Sequence, residues 1–598
     1  MRAIPLSVIL VACGDNHPAG DAGEIAPLPP ASECNSWRQW GHGAAHGGAS
    51  CASGQPLRAV LSERVYDPFL DQELADARGD LRIHYQSPLI DGDDVYMLIK
   101  RGSYTPCHTG SSGPSCNDPD ERYRLHSQIW AEQQFVVGRD GALVPGWSFD
   151  SDWKPEPQIG FEPVFQPAVT GSLIAIPGAG GALWQLDRAT GGVVRHVQPL
   201  GRAIDPDTYV AGGLTVGPDG TIYYHAVKLD HDQPLDRPSQ AWLVAVSPDG
   251  TPRVAEFASL VPGAPAATEP CLGTYDFATT PLPWPPVGTG GAPLPPPSAP
   301  CGPQRPGINA APAVAADGTI FTVSRAHGNE RYAYVVAIDP SLSPRWATSL
   351  RDLLHDDCGV ATPSDGTATD RPFDCRAGTP LGVERVTGLA PAARVNDGAT
   401  SSPVALPDGG VLYGAFTGYN ATRGHLIKLD RRGGFAGAYD FGWDTTPAVV
   451  GGPLDYRIVI KDNHYGSDAS GADRGPFYLT ALDAALHVVW QFASTSTQSC
   501  ARQPDGSTAC TDDHPHGFEW CVNAVAVDRD GTVFASSEDG RTYAITAAGA
   551  LRDSVFLDRA LGAAYTPIAL DRAGRVFALN AGRLWVLGEE PQRPSEQW

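Results

Sequence analysis

The sequence predicts an all-β protein: an eight-bladed β-propeller built from four-stranded antiparallel blades. The first observation is composition, because 67 Gly and 55 Pro among 598 residues interrupt helices and favour tight turns. The second is a repeat, since one pattern of two successive hairpins recurs along most of the chain, as in propellers. Hydrophobic residues make up 42% of the sequence, which is enough for a large folded core.

The first hairpin of each unit starts with a small residue or proline, followed by a short apolar strand, a Gly/Asp turn and a second β-rich strand. Residues 311–323 contain a clear copy, in which Asp317-Gly318 separates Ala313-Val314 from Ile320-Phe321. Asp-Gly favours such turns because glycine readily adopts the positive φ that they need. Eight copies begin near residues 87, 166, 214, 311, 402, 446, 525 and 566.

A second hairpin follows the first in most units and brings each blade to four strands, labelled A to D from the centre outward. Residues 335–339 before Arg345-Trp346 are one example. The eighth unit ends after residues 583–587 without a fourth strand. Residues 54–61 resemble the outer strand of the seventh unit at 549–556. We therefore expect a strand near residues 55–66 to complete the last blade and to close the ring.

The start of the chain predicts export and lipid anchoring. Met1-Arg2 is followed by an apolar run at residues 3–12, which is too short to span a bilayer. Leu10-Val11-Ala12-Cys13 resembles a bacterial lipobox, and this resemblance implies cleavage before Cys13 and a lipid on its sulfur. The alternative is an ordinary secretory signal with an incidental cysteine.

These patterns divide the chain into a signal peptide (1–12), a flexible tether (13–36), the propeller (37–590) and a polar tail (591–598). The expected location is the bacterial cell envelope, on the outer membrane and facing the periplasm or the surface. Contact with the membrane is expected through the lipid anchor alone.

Cysteine spacing agrees with an oxidising compartment. No Cys-x-x-Cys motif occurs, which excludes zinc ribbons and c-type haem attachment. Five close pairs are predicted disulfides, although the sequence does not prove the connectivity. The pairs are Cys34 with Cys51, Cys107 with Cys116, Cys271 with Cys301, Cys358 with Cys375, and Cys500 with Cys510. Cys521 is left over, either as a buried thiol or as a competitor for Cys500 or Cys510.

The repeat also resembles a known family. Its consensus of Pro-Ala-Val-x-x-Asp-Gly-Thr-Ile, then Val-x-Ala-Ile-Asp-Pro, then Arg-Trp, resembles the repeats of PQQ-type (quinoprotein-like) β-propellers. Residues 37–42 with Gly47-Gly48 resemble the N-terminal segment common in that group. The resemblance covers roughly residues 37–590 and implies the fold rather than a function.

The resemblance raises the question of a quinone cofactor. Large alcohol dehydrogenases of this group carry two adjacent cysteines beside the quinone, whereas this chain contains no Cys-Cys dipeptide. The sequence also offers no calcium-binding pattern beyond the aspartates that the hairpin turns explain. PQQ and calcium are therefore not favoured.

Six long segments separate predicted strands, at residues 101–124, 228–240, 261–307, 352–400, 464–476 and 494–517. Each is a B–C loop or a connection from strand D to the next strand A. In an antiparallel meander these connections all emerge on one face of the ring, which we name the insertion face. The short A–B and C–D turns lie on the opposite turn face. Four of the six segments contain predicted disulfides, and loops of this length are often functional.

The starts of A strands and the ends of B strands meet near the channel on the insertion face, and this is where we expect a site. The candidates are His84, Gln86, Lys100, His225, Arg325, Lys461, His464, Glu519, Trp520 and Glu538. Such a mixture suits a polar ligand, for example an anionic sugar, a peptide or a cofactor. The competing interpretation is the hydrated lining that every propeller channel has.

These patterns favour a non-catalytic, monomeric envelope propeller that binds a protein or glycan ligand on its insertion face. A net charge of −24 argues against a nucleic-acid partner. His225 with His231, or His514 with His516, could bind a metal, but histidines in solvated loops are usually unliganded.

The alternative is an envelope enzyme with its site in the central pocket of the same face. It would be a quinoprotein-like dehydrogenase, or a polysaccharide hydrolase or lyase that uses Glu519 with His464 or Lys461. No Gly-x-Ser-x-Gly, P-loop or His-Glu-x-x-His motif supports a more specific reaction.

Overall fold

A computed structural model describes residues 36–590 except 77–84, 107, 111–112, 116–123, 156–160, 231, 235–236, 238, 274–289, 292–296, 352, 355–392, 418–423, 443, 465–474 and 563–565. Eight antiparallel blades form a propeller, which confirms the predicted fold class. Among the helices of the described part, none has both the length and the apolar character needed to cross a membrane.

The blades follow each other in chain order, and the strands of each blade run from A at the centre to D at the rim. Blade one contains Leu89–Asp91, Asp94–Gly102, Gln128–Val137 and Leu143–Asp150, and blade two contains Ala168–Thr170, Leu173–Pro177, Leu183–Asp187 and Val193–Val197. Blade three contains Thr208–Val216, Ile222–Lys228, Gln240–Val246 and Pro252–Glu256. Blade four contains a divided strand A (Gln304–Pro306 and Ala313–Val314), then Ile320–Ala326, Asn329–Ile338 and Pro344–Ser349.

Blade five also has a divided strand A (Ala393–Arg394 and Val404–Ala405), followed by Val411–Thr417, Gly424–Leu429 and Phe435–Asp440. Blade six contains Ala448–Gly452, Asp455–Asn463, Phe477–Leu482 and Val488–Ala493, and blade seven contains Ala526–Val527, Val533–Ser536, Arg541–Ile545 and Leu551–Phe556. Blade eight contains Ala569–Leu570, Val576–Asn580, Arg583–Gly588 and Ala59–Val65.

The remaining elements are short. They are the strand Ser36–Trp37, the helix Leu70–Asp76, the 3-10 turns Arg124–Ser127 and Phe257–Leu260, and three hairpins. The hairpins pair His108–Gly110 with Gly113–Ser115, Pro270–Leu272 with Ser298–Pro300, and Gln498–Arg502 with Thr508–Asp512. All three belong to the insertions.

Burial explains the strand sequences. Central strands are covered by the neighbouring blades on both sides, so Ile320–Ala326 is buried along most of its length, its polar residues Thr322 and Ser324 included. Outer strands such as Val193–Val197 are largely exposed and carry mixed residues. The hydrophobic core therefore lies between blades and not inside any single blade.

A tryptophan on an outer strand fastens several blades to the next. The ring of Trp346 packs on Gly433, which has a φ of 82° in the C–D turn of blade five. The Trp346 indole N–H donates to the carbonyl of Arg431 at 3.2 Å. Trp147 on Gly191 and Trp490 on Gly549 repeat the contact, with indole bonds to Arg188 and Ala547.

The predicted closing strand is confirmed. Ala59–Val65 pairs antiparallel with Arg583–Gly588 and forms the outer strand of blade eight. Because this strand comes from the N-terminal part of the chain, the sheet of blade eight combines strands from both ends of the propeller sequence. The ring has no open seam at this point.

Residues 36–55, which we name the N-terminal belt, contact every blade at the turn-face ends of the innermost strands. Ser36–Trp37 pairs with blade one, the Gln39 side chain accepts from Val216 N of blade three, and Gln55 N donates to Gly574 O of blade eight. The other blades donate backbone N–H groups to belt carbonyls: Val169 to Arg38 (2.8 Å), Val314 to Ala44 (2.7 Å), Ala405 to Ala45 (3.0 Å), Val449 to Gly47 (2.7 Å) and Val527 to Gly48 (2.9 Å).

His46 fixes the middle of the belt. Its Nδ1 lies 2.9 Å from the Pro403 carbonyl oxygen, and its Nε2 lies 3.2 Å from Thr215 Oγ1. Burial lowers the pKa of His46 to about 4, so the imidazole is neutral at physiological pH. Nδ1 therefore carries the proton, because the carbonyl of Pro403 can only accept.

The disulfides Cys271–Cys301 and Cys500–Cys510 are confirmed. Cys51 is disulfide-bonded, while Cys34, its predicted partner, lies outside the described residues. Cys521 is a buried thiol, which is the first of the two alternatives that the sequence left open. The predicted pairs Cys107 with Cys116 and Cys358 with Cys375, and the predicted lipidation site Cys13, involve positions outside the described residues.

The tryptophan contacts predict a difference between two glycines with the same backbone geometry. Gly433→Ala places a Cβ 2.7 Å from the Trp346 ring, whereas a Cβ at Gly409, also at positive φ, meets no atom closer than 3.5 Å. We expect Gly409→Ala to cost about 1–2 kcal/mol of stability from backbone strain. Gly433→Ala should cost roughly 1–3 kcal/mol more because the ring must move. Denaturant unfolding of the two variants measures this, and equal losses would contradict the docking contact.

Candidate functional site

The structure distributes the predicted site residues over several clusters on the insertion face. His84 lies outside the described residues. Gln86 and Lys100 belong to blade one, His225 to blade three and Arg325 to blade four. Lys461 and His464 lie at the end of strand B of blade six, and Glu519, Trp520 and Glu538 lie beside them in blade seven.

Lys100 is the centre of a buried acidic cluster. Its Nζ lies 2.7 Å from Glu162 Oε2, 2.8 Å from Glu73 Oε1 and 3.2 Å from Asp67 Oδ2. The ammonium has no exposed surface, and the three carboxylate side chains are at most 9% exposed. Asp67 follows the closing strand and Glu73 lies on the helix Leu70–Asp76, so the cluster joins segments that are distant in sequence.

Charge balance determines the state of this cluster. Burial alone would lower the pKa of Lys100, but Asp67, Glu162 and Glu73 together raise it well above its ordinary value. Burial raises the pKa of Glu73 and of Glu162, against the opposing effect of Lys100. Lys100 therefore stays protonated, and a permanently charged, fully buried ammonium is not suited to act as a general base.

Glu132, on strand C of blade one, is another fully buried acid. Gln86 Nε2 donates to Glu132 Oε1 at 3.0 Å, and Gln86 Oε1 accepts from the Leu98 N–H at 2.9 Å. Within the described residues, Oε2 of Glu132 has no hydrogen-bond partner. Burial raises the pKa of Glu132 to about 8, so this carboxyl is mostly protonated at neutral pH. Gln86 thus acts as a link between strands A, B and C.

Arg325 belongs to a cationic cluster around Asp397. Arg305 binds Asp397 with two hydrogen bonds of 2.6 Å, and Arg325 Nη1 lies 2.9 Å from Asp397 Oδ2. Burial alone would raise the pKa of Asp397, but Arg305 and Arg325 together lower it to about 2. Arg305 Nε also donates to Nδ1 of His327 at 3.0 Å. Such a two-pronged arginine–carboxylate contact fixes both partners in orientation.

Strand alternation separates the candidates at the end of strand B in blade six. Asn463 faces blade seven, where its amide bonds to Trp520 N and O and to Glu519 Oε2. His464 faces blade five, where its ring stacks on Phe441. Glu519 and His464, which the sequence suggested as a catalytic pair, therefore lie on opposite sides of one strand.

One ion pair and one histidine–carboxylate contact complete the cluster in blade six. Lys461 Nζ lies 3.7 Å from Asp444 Oδ2, and His464 Nε2 lies 2.9 Å from Asp462 Oδ1. Asp462 Oδ2 also accepts from Tyr439 and Thr480. Asp462 is therefore held by several donors at once.

Glu538 and His225 have local partners. The Cys521 thiol donates to Glu538 Oε1 at 3.4 Å. His225 is fully buried between blades three and four, with Nδ1 3.1 Å from Ala310 O and Nε2 2.9 Å from Thr322 Oγ1. Burial lowers the pKa of His225 to about 4. His225 thus links two blades as a neutral ring and is closed off from the channel mouth.

The histidine pairs considered for metal binding gain no support. His231 lies outside the described residues, and His514 Nδ1 lies 2.6 Å from Asp513 Oδ1. No group of three or more His, Cys, Asp or Glu within the described part is arranged to hold a metal ion.

Small polar residues at the starts of A strands connect the clusters around the ring. Asn309 Oδ1 accepts from Val164 N, two residues after Glu162, and Asn309 Nδ2 donates to the Asp397 carbonyl. Further round, Thr446 Oγ1 accepts from Ser402 N. The acidic cluster and the cationic cluster are therefore held at fixed positions on one face.

A quinone with calcium does not fit the described residues of this face. In the two charged clusters the carboxylates are already bound by cations: Asp67, Glu73 and Glu162 by Lys100, and Asp397 by Arg305 and Arg325. Cys521 is a single buried thiol beside Glu538, where the family resemblance would require two adjacent cysteines. The described face therefore lacks free carboxylates in its charged clusters for a calcium ion and lacks the pair of adjacent thiols expected beside the quinone.

No family model and no curated protein matches this chain. Solved structures similar to it include a europium-containing methanol dehydrogenase, with 10% identity, coverage of 92% of this chain and 90% of that chain, and a TM-score of 0.47. A quinohemoprotein alcohol dehydrogenase from Comamonas testosteroni has 12% identity, coverage of 94% and 82%, and a TM-score of 0.48. BamB from Moraxella catarrhalis has 11% identity, coverage of 89% and 99%, and a TM-score of 0.34. At these values the similarity concerns the fold, which the eight blades already establish, and it carries nothing about activity.

Sequence reasoning found the cluster members at the ends of the repeated strands and missed their partners outside the repeat pattern. Asp67, Glu73, Glu162, Arg305 and Asp397 lie between repeat units or at the ends of long insertions, where no periodicity marks a position. No local sequence signal marks these partners, because Glu162 is 62 residues from Lys100 and Asp397 is 92 residues from Arg305.

Glu132 predicts a pH-dependent stability. Its folded pKa of about 8 is far above the value of about 4.3 for an unfolded glutamate, so the folded state binds the proton more tightly. Its contribution to stability is complete below pH ~4 and is lost as pH rises towards 8. Glu132→Gln should remove this loss, so thermal unfolding from pH 4 to pH 8 should show a growing advantage over the wild type. The exposed Glu256→Gln is the control, and parallel profiles for all three proteins would contradict the assignment.

Proposed function

We propose that this protein is a lipid-anchored cell-envelope propeller that binds a protein or glycan ligand on its insertion face without catalysing a reaction. The observation that carries the proposal is the state of the charged groups on that face. Its acids and bases are buried against each other, while disulfide-clamped hairpins project from the same side.

The charged clusters support binding more than catalysis. General acid–base chemistry needs a group that reaches the substrate and exchanges a proton near neutral pH. Lys100 is enclosed by three carboxylates, and Asp397 is held ionised by Arg305 and Arg325. These groups give the face a fixed charge pattern, which contributes to the selection of a partner.

The hairpins support a macromolecular ligand. Every residue of Thr508–Asp512 is exposed, and Cys500–Cys510 joins this strand to Gln498–Arg502. Cys271–Cys301 clamps the hairpin in the connection between blades three and four. A surface that is already ordered loses little conformational freedom when it binds, so it favours affinity.

A polysaccharide hydrolase or lyase is the second candidate, and one contact favours it. His464 Nε2 lies 2.9 Å from Asp462 Oδ1, as in an oriented general base, and among the described residues nothing hydrogen-bonds to Nδ1. The stacking of His464 on Phe441 and its burial argue for a structural role instead.

The lipid anchor is tested at Cys13. The full chain expressed with its own leader in a bacterium should be found in the membrane fraction, because a thioether-linked diacylglyceryl group provides two acyl chains. Cys13→Ala should move it to the soluble envelope fraction without changing its thermal unfolding, whereas Cys521→Ala is the matched control and should stay with the membrane. A wild-type protein that is soluble and carries no lipid by mass spectrometry would contradict the anchor.

The binding face is tested with two exposed positions on opposite sides of the ring. Thr511 lies on the insertion face, and Leu454, which is 98% exposed, lies in the A–B turn of blade six. The probes are arrays of envelope glycans and of purified envelope proteins. We expect at least one probe to bind the wild type and Leu454→Arg, with at least tenfold weaker binding to Thr511→Arg. Loss with Leu454→Arg alone, or turnover of a bound glycan, would count against the proposal.

A further inference from the structure

The hairpin Gln498–Arg502 with Thr508–Asp512 has one held edge and one open edge. It lies in the connection between blades six and seven, on the insertion face. Its inner strand is fastened to the next connection, because Ala560 N donates to Cys500 O and Arg502 N donates to Asp558 O, both at 2.8 Å. Every residue of the outer strand Thr508–Asp512 is exposed.

The register shows which backbone groups point outward. In an antiparallel pair, opposite residues alternate between hydrogen-bonded and non-hydrogen-bonded pairs. Gln503 N donates to Ser507 O at 2.8 Å, so Ala501 with Ala509 is also a bonded pair and Cys500 with Cys510 is not. The Cα–Cα distance of 4.0 Å at the disulfide agrees with a non-bonded pair.

The same alternation predicts that Cys500 and Arg502 direct their backbone groups away from Thr508–Asp512, and these are the groups that bind residues 558–560. By symmetry, the outward groups of the outer strand are those of Thr508, Cys510 and Asp512. None of these N–H or C=O groups takes part in a backbone hydrogen bond within the described chain. The strand therefore presents three donors and three acceptors, at every second residue, to solvent.

Among the described strands, the outer edges of the blades and of the hairpin at Cys271–Cys301 carry features that disfavour pairing, which this edge lacks. In seven of the eight blades the pairing of strand D with strand C contains a register shift, which bends the outer edge. The outer strand of blade three begins with Pro252, and the hairpin at Cys271–Cys301 contains Pro270 and Pro300. Thr508–Asp512 has neither device. Natural proteins usually blunt exposed edges, because a straight edge recruits another strand.

We propose that Thr508–Asp512 is a docking edge that adds an extended strand from a basic partner protein to this hairpin. The inference rests on the proposed function and names its partner class. Asp512 on the edge and Asp505 in the adjoining turn are acidic and exposed, so a partner strand with Lys or Arg would complement them. A second copy of this chain is disfavoured, because each copy carries a net charge of −24.

In the proposed complex, backbone hydrogen bonds hold the partner strand, and its side chains determine which partner binds. The partner strand completes the ladder of Thr508, Cys510 and Asp512, as in other cases of strand addition. The disulfide Cys500–Cys510 keeps the edge straight before the partner arrives. Specificity comes from alternate partner residues, which face either Ala509 and Thr511 or the disulfide side.

Thr508→Pro tests the edge, because proline removes the outward N–H and leaves the inward bonds of Ala509 and Thr511 in place. Proline is tolerated on an edge strand when its missing N–H faces solvent. Thr508→Val keeps the N–H and the branched shape, so it is the matched control. The probe is a displayed library of random twelve-residue peptides, selected on the full-length wild type.

We expect enriched peptides that are rich in β-branched and basic residues, and that bind Thr508→Val as well as the wild type. Their affinity for Thr508→Pro should fall at least tenfold. Peptide mapping should show the Cys500–Cys510 disulfide intact in all three proteins. Equal binding to Thr508→Pro, no enriched peptide, or a dimer of the wild type that Thr508→Pro dissolves would each overturn the proposal.

The test separates this inference from the proposed function. An envelope probe that loses affinity for Thr511→Arg but keeps it for Thr508→Pro would leave the insertion face as a binding surface and overturn the strand pairing. If the probe loses affinity for Thr511→Arg and for Thr508→Pro but keeps it for Thr508→Val, the result supports both the proposed function and the strand pairing. If no probe and no peptide binds, both the proposed function and the strand pairing are contradicted.

Discussion

The architecture depends on the backbone hydrogen bonds between the N-terminal belt and the innermost strands. Residues 36–55 contact all eight blades in chain order, and the next segment, Ala59–Val65, supplies the outer strand of blade eight. One stretch of chain thus holds the centre of the ring and closes its circumference. Trp37, Trp40 and His46 are buried in this arrangement, so the turn-face end of the channel is filled by the belt. The belt therefore leaves the insertion-face end of the channel uncovered.

The charged clusters make the insertion face rigid. Burying their charges costs desolvation free energy, which contacts with partners from distant segments offset. A buried ammonium or guanidinium is tolerable only when carboxylates and hydrogen bonds surround it. Lys100 and Arg305 meet this condition with partners from distant segments, and Asn309 connects the two clusters. Their geometry therefore depends on a correctly closed ring. A face of this kind holds its charged groups in a fixed pattern, and the exposed hairpin that ends with Thr508–Asp512 lies on the same face.

The sequence predicted the parts of the fold that repeat. Strand order, the Asp-Gly turns, the closing strand and the two described disulfides Cys271–Cys301 and Cys500–Cys510 are confirmed, because each follows from local turn chemistry or from comparison of one repeat with another. For the candidate site, the sequence predicted where the cations lie but not which side chains contact them. Lys100, Arg325 and Lys461 lie at strand ends, so their place follows from the repeat, whereas Glu162 and Asp397 reach them through folding of irregular segments. The open edge at Thr508–Asp512 could not be predicted, because that requires the strand register within an insertion. The repeat pattern does not extend into the insertions.

Hydrogen exchange at the belt tests most directly whether one segment holds the ring together. The amides of Val169, Val314, Ala405, Val449 and Val527 each donate to a belt carbonyl. Exchange followed by mass spectrometry should place them among the slowest amides, with one common rate, because opening any of them requires release of the whole belt. Rates that differ by orders of magnitude from blade to blade would show that the blades open independently, and would contradict a ring held by its N-terminal belt.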